Sequence, residues 1–335
     1  MGHRKVHAPR RGSLAYLPRS RASRWVGRVR YWPTGIRETK PLAFIGYKAG
    51  MRLVVGVDNR EGSLTYGKEI SFPITIVEAP PMVAVALRAY VKTPKGLQTF
   101  AEAWLEKPPK DLMRLLSLPE SINHAERLAK IESSLEKISE VRLVLASQPR
   151  IVQLGRKTPE LLEAKLGGAT LKEQFEYAKG QLGKEIKISD AFKEGDWIDV
   201  IAITKGKGIQ GPVKRWGIRK KFHKARKTVR AVGSIGGWHP HYVVYSVPRA
   251  GQTGFHQRTE YNKQVVKIGQ EGRDVTPKGG FIRYGEIKAQ YVMLSGTVPG
   301  PSRRAITLRH GVRGIAAPAP KFDYIGLESA QGARH

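Results

Sequence analysis

The sequence predicts a mixed β and α+β protein: a β-barrel body, an α+β region inserted into it, and two long basic extensions. Three observations carry that reading. Strand-like apolar runs occupy both flanks of the chain, a helical period takes over between them, and positive charge gathers in two acid-free stretches. The divisions fall at 1–38 for the first extension, 39–98 with 184–335 for the discontinuous barrel, and 99–183 for the insertion. The second extension is 205–262, within the barrel portion.

The elements follow in order. From Pro41 to Lys95 the runs LAFIGYKAGMRLVVGVDNR, ISFPITIVEAPP and MVAVALRAYVKTP are broken by Gly, Pro and Asp-Asn, as in an antiparallel sheet or barrel. From about Phe100 to Gly183 the period becomes helical. Leu128, Ile131, Leu135 and Ile138 share a face behind Asn123 and Glu126, which have capping-box spacing. Thr158, Pro159 and Glu160 supply an N-cap, a first-turn proline and an acid at the N-terminal dipole, so a helix is expected to run to Gly167-Gly168. Thr170 with Glu173 opens another, and VRLVLASQP (141–149) between the two helical stretches reads as a strand. Strands return in DWIDVIAITKG (196–206), FIRYGEIKAQYVMLSGTVPGP and RRAITLRHG. The simplest architecture makes one barrel from both flanks, with 205–262 as a looped excursion. A loop of that length without its own core is functional or disordered.

Charge narrows the function. The formal net charge is +31 over 335 residues, from 59 Lys+Arg against 28 Asp+Glu. Residues 1–37 hold ten Lys/Arg and no acid, and thirteen Lys/Arg lie between Asp199 and Glu260, again without an acid. Residues 101–199 hold sixteen Lys/Arg against seventeen Asp/Glu, a net −1, which leaves +32 on the remainder. Such segregated charge calls for a polyanion, and each phosphate contact also releases a counterion. No apolar run approaches the roughly 20 residues of a membrane span, and MGHRKVHAPRRGS lacks the apolar core of a signal peptide. Absence of cysteine removes disulfides and thiolate metal sites, and suits a reducing interior.

Motifs for catalysis fail on their surroundings. GKGIQG (206–211) satisfies G-x-G-x-x-G after an expected strand, but no ribose-binding acid follows before Glu260. His239, His241 and His256 lack cysteine or carboxylate company for a metal, and Ser234 and Ser246 sit in acid-free surroundings with no nucleophile elbow. RNA binding uses the same residues better: cations for the backbone, flat rings for unstacked bases, glycines for threading narrow gaps. In GSIGGWHPHYVVYSVPRAGQTGFHQRTEYNK, the glycines before Trp238 and Pro240 after it put the indole at an exposed loop tip. Trp25, Tyr31 and Trp32 have weaker claims, and YWPTG reads as a turn anchoring the first arm. The candidate RNA-binding residues are His3, Arg4, Lys5, Arg10, Arg11, Arg19, Arg21 and Arg24 in the first extension. In the second stretch they are Lys205, Lys207, Lys214, Arg215, Arg219, Lys220, Lys221, Lys224, Arg226, Lys227, Arg230, Trp238, His239, Arg249, His256 and Arg258. Both arms are expected to be disordered until RNA orders them.

Three stretches carry a family resemblance. HRKVHAPRRGSLAYLPRSRAS resembles the N-terminal extension of the ribosomal protein L three family, and GGWHPHYVVYSVPRAGQTGFHQRTEYNK its central extension. GGFIRYGEIKAQYVMLSGTVPGPSRRAITLR resembles its closing strands; the likeness is weakest across 100–185, and the chain length is that of archaeal members. The resemblance implies a translation-protein-type β-barrel on the surface of the large subunit, without catalysis or cofactor. It implies primary binding of 23S rRNA near the 3′ end, a part in starting assembly, and extensions directed toward the peptidyl transferase centre. Trp238 matches the tryptophan at the inner end of the central extension, which senses aminoacyl-tRNA accommodation through rRNA. The implied neighbours are proteins L fourteen and L twenty-four e, in cytoplasmic ribosomes.

Overall fold

A computed structural model describes residues 11–119, 121–152, 154–223, 225, 227–313 and 321–328. It is mostly strand with few helices, and the chain forms two compact units. One joins Met1–Arg24 to Ile203–Gln257; the other joins Trp25–Ala202 to Arg258–His335.

The larger unit opens with β1 (Ala43–Val57), β2 (Glu69–Glu78), β3 (Met82–Thr93) and β4 (Gly96–Trp104). Then come α1 (His124–Ser133), β5 (Glu140–Ala146), β6 (Leu161–Lys165), α2 (Leu171–Gln181), β7 (Glu185–Ile186), α3 (Ile188–Ala191) and β8 (Trp197–Ile203). The chain passes through β9 (Ile209–Gln210), α4 (Pro212–Trp216) and β10 (Gly251–Gln252) in the smaller unit. It ends with β11 (Gln257–Gly269), β12 (Tyr291–Ser295), β13 (Ala305–His310) and β14 (Lys321–Ile325).

The large sheet runs β13-β8-β11-β12-β2-β1-β14, and β13 also pairs with β1. β1 makes this possible by serving two partners on one edge. Its first residues pair with β13 (Ala43↔Arg309 to Tyr47↔Ala305), its last with β14, and its other edge with β2. A bulge between Lys48 and Gly50 bends the strand there. A Cβ at Gly50 would lie 2.5 Å from the Phe281 ring, so glycine permits that approach. Phe44, Ile45, Ile74, Ile76, Met293, Ile306 and Leu308 are fully buried between the strands and what packs on them. Glu78 is also fully buried, yet satisfied. It accepts from the Tyr284 hydroxyl and from the Lys288 and Ala289 amides (2.7 and 2.8 Å), while burial raises its pKa.

The first arm docks on this unit from Trp25 onward. Val26, Val29 and Trp32 pack on the core, Thr307 Oγ1 donates to the Gly27 carbonyl (3.1 Å), and Arg309 donates to the Tyr31 carbonyl. Arg309 also pairs with buried Asp199, whose carboxylate accepts from the Asn262 and Val312 amides. The YWPTG stretch is thus tied down at its first residue and packed at its second.

A second sheet is ordered β4-β3-β5-β6, with β7 on β3. Leu128 and Ile131 of α1 and Phe175 and Ala178 of α2 join its main core, whereas Val85, Leu112 and Val144 form a smaller cluster. The strand expected at 141–149 is β5. Thr170 Oγ1 accepts from the Glu173 amide (3.3 Å) to cap α2, but Asn123 bonds the Glu126 side chain instead of capping α1. α1 itself ends at Ser133, and a 3₁₀ turn (Leu135–Lys137) carries the face to buried Ile138.

The expected helix over 158–167 is a strand. Leu162, Ala164 and Leu166 are buried and alternate with Glu163 and Lys165, a period of two. Pairing decided against the helix-forming composition: β6 runs antiparallel to β5 from Arg142↔Lys165 to Ala146↔Leu161. Glu160, read as a helix-dipole acid, is instead buried and accepts from Tyr47 and Ser147. Two more elements differ. β3 pairs with β4 and β5 in the second sheet rather than with β1 and β2, and β11 converts 257–262 from extension to strand.

Candidate nucleic-acid interface

The smaller unit contains no acid at all. Seven Lys/Arg in Met1–Arg24 and twelve in Ile203–Gln257 give it nineteen cations. Its base is nonetheless closely built. β9 pairs with β10, and Pro212 at the first turn starts α4, which ends at Gly217 in the left-handed region. Trp216, only 4 % exposed, donates from Nε1 to the Arg249 carbonyl at 2.8 Å. The Arg19 guanidinium stacks 4.0 Å above it.

Backbone carbonyls hold the arginines here. Arg19 donates to the Arg215 and Ser13 carbonyls (3.0 and 3.1 Å), and Arg215 to those of Gln252 and Arg249 (3.1 and 3.2 Å). Burial lowers the pKa of Arg215. Strand-like backbone bonds add to the closure: Ala22 N donates to Phe255 O at 2.8 Å, and Thr204 N to His256 O at 3.0 Å. His256 is buried, its Nδ1 2.8 Å from the Ser20 carbonyl. Gly254, at φ +71, brings its backbone so near Lys205 that a Cβ would lie 2.0 Å from that carbonyl.

Beyond the base the chain opens. Among the described residues between Gly217 and Ala250 there is no helix or strand. Trp238 is 81 % exposed, and Phe222, Tyr242 and Tyr245 are exposed too. Small ring contacts, Trp238 on His241 (5.6 Å) and His239 on His241 (4.5 Å), group the tip. A cavity of about 600 Å³ lies against Leu17, Pro18, Arg19, Ser20, Arg215 and Tyr245. Cationic walls, an exposed ring and an open groove suit a single strand with unstacked bases.

The sequence matches the family described as Ribosomal protein L3 over residues 1–323. The chain belongs to the ribosomal protein L3 family. It is similar to the large ribosomal subunit protein uL3 of Methanothermobacter thermautotrophicus, 46% identical over 333 residues, covering 97% of this chain and 98% of the relative. Those of Archaeoglobus fulgidus (47% over 337 residues, 98% and 99%) and Aeropyrum pernix (46% over 345, 99% and 100%) match as fully. These archaeal relatives make this L3 family member a structural constituent of the large ribosomal subunit, not an enzyme.

Its described candidate residues separate into two groups. Arg11, Arg21, Arg24, Lys205, Lys207, Lys214, Arg219, Lys220, Lys227, Arg230, Trp238, His239 and Arg249 are exposed; Lys221 and Arg258 are partly so. Arg19, Arg215 and His256 are built into the base, where carbonyls fix their orientation. His3, Arg4, Lys5, Arg10, Lys224 and Arg226 lie outside the described residues. Residues 11–24, 203–217 and 249–257 pack on one another, so the two arms share one base. Phe222, Tyr242 and Tyr245 join Trp238 as exposed aromatic candidates, and their signal in the sequence is aromatic spacing inside an acid-free loop.

Among the described residues no cluster of three or more His, Cys, Asp or Glu could hold a metal, and no helix is long and apolar enough to cross a membrane. The G-x-G-x-x-G stretch is followed by a helix, but one of five residues that begins on proline.

Proposed function

We propose that this protein is a primary binder of 23S rRNA near its 3′ end. It helps to nucleate large-subunit assembly and directs its extensions toward the peptidyl transferase centre. One observation carries the reading: a unit with nineteen cations and no acid, closed at its base and open at an aromatic tip. Uncompensated cations supply affinity through counterion release, and exposed rings supply stacking for unpaired bases. In this reading Trp238, at the tip, responds to tRNA accommodation through the rRNA around it. Family likeness supports L fourteen and L twenty-four e as neighbours in the cytoplasmic ribosome, with no small-molecule substrate or cofactor. The return of the large sheet's pairing order to β13 supports a translation-protein-type barrel as the body.

The test is competition between a 3′-terminal 23S rRNA fragment and an unrelated structured RNA at two salt concentrations. The ribosomal fragment is expected to win by orders of magnitude and to keep winning at high salt. Equal binding, with equal release as salt rises, would reduce the reading to charge alone.

A further inference from the structure

The larger unit carries a cavity of its own, outside the acid-free unit. Between β12 and β13 the chain turns tightly, with the Arg304 amide donating to the Pro301 carbonyl. Arg303 sits there at φ +67, a left-handed conformation uncommon for a residue that is not Gly, Asn or Asp. Lys48 holds the loop in place. Its carbonyl accepts from the Arg303 amide (2.9 Å), and its Nζ donates to the Val298 and Gly300 carbonyls (2.6 and 3.3 Å).

That turn brings Arg303 and Arg304 to a cavity of about 160 Å³, also lined by Arg156, Glu160 and Trp25. Three guanidinium groups therefore line it against one carboxylate, and that carboxylate is committed. Glu160 accepts from Arg156 on one oxygen and from the Tyr47 hydroxyl and Ser147 Oγ on the other. Burial lowers the Arg304 pKa, and the charge of Arg156 lowers it further, as expected of crowded cations. An anion with several oxygens would relieve the crowding and match the forked donors. Trp25 adds a second kind of recognition. It is 61 % exposed, with the Arg304 guanidinium 4.9 Å from its ring, a stacked surface of the sort that receives a base.

We infer that Trp25, Arg156, Arg303 and Arg304 form a second RNA contact, taking one backbone phosphate in the cavity while the adjoining unstacked base lies on Trp25. The site rests on the RNA-binding reading for its ligand but uses none of the residues that carry that reading. It is sequence-tolerant, because a phosphate and a ring face are common to all nucleotides.

Fluorine NMR of the full chain labelled with 5-fluorotryptophan tests it, with the Trp25 resonance assigned by Trp25→Phe. The probes are single-stranded oligoadenylate, inorganic phosphate and polyglutamate. Oligoadenylate is expected to shift the Trp25 resonance saturably, with the other two much weaker. Arg303→Asn with Arg304→Gln, which keeps a residue that tolerates the left-handed turn, is expected to weaken that titration about tenfold and leave Trp238 titrating as before. A silent Trp25 beside a responsive Trp238 would overturn the pocket and spare the extension reading. An equal Trp25 response to phosphate or polyglutamate would overturn the nucleotide assignment, and silence of both tryptophans would count against RNA binding altogether.

Discussion

The second sheet and the acid-free unit hold their cations in opposite ways. On the sheet, Arg88, Arg142 and Lys165 interleave with Glu102, Glu140 and Glu163, with contacts of 2.7–3.1 Å that cancel the charge in place. In the acid-free unit, Arg19 and Arg215 are fixed just as definitely, but by carbonyls. A carbonyl orients a guanidinium without neutralising it. The first arrangement spends its charge on folding; the second keeps charge for an outside anion. A further contrast lies within that unit, between Trp216 in the base and Trp238 at the tip.

Trp216→Ala should do the most damage. Loss of a buried ring costs about 3–5 kcal/mol, so proteolysis within 203–257 is expected to accelerate sharply while the larger unit's thermal transition holds. An unchanged digestion pattern would mean that the base is not held by this ring. Replacing Lys220, Lys221, Lys227 and Arg230 together with glutamine should flatten the log–log salt dependence of rRNA binding by roughly three, at about 0.7–0.9 per phosphate contact. Stability should move little, since Lys220, Lys227 and Arg230 face solvent and Lys221 does so in part. A parent-like slope would place the RNA elsewhere.

Arg142→Gln should reverse that pattern. It leaves Glu140 and Glu163 short of a partner in a part-buried site, costing about 1–3 kcal/mol of stability, with the salt slope of RNA binding unaltered. His310 gives a smaller, pH-dependent effect. Its ring is buried beside Phe192, with Nε2 2.8 Å from the Ala191 carbonyl, and burial, then the charge of Lys40, lowers its pKa. The unfolded chain therefore takes up the proton first, near 6.5, and stability falls as pH drops below that value. In His310→Gln, thermal melts at pH 7 and pH 5.5 should differ less than in the parent. Smallest of all, Trp238→Ala should change rRNA affinity by no more than about twofold and leave melting unmoved, while disturbing tRNA selection. A large assembly defect from that change would make the tip a binding anchor.

Charge segregation, the absence of cysteine and most strands were legible in the sequence, because each is a property of composition or of local period. The exposed setting of Trp238 was legible too, from the glycines and proline around it. Tertiary pairing decided the rest. LLEAK reads as helix by propensity, and only the neighbouring strand β5 makes it β6, since edge hydrogen bonds and one buried face outweigh tenths of a kcal/mol per residue. Arg19, Arg215 and His256 look the same in sequence as Arg219 and His239. Which of them are committed depends on carbonyls brought near by folding: for Arg19, those of Ser13 and of distant Arg215. The pocket of Trp25, Arg156 and Arg303–Arg304 has no local signature at all. Its three segments meet only through the fold, and a contact between distant segments leaves no trace in the composition of any one of them.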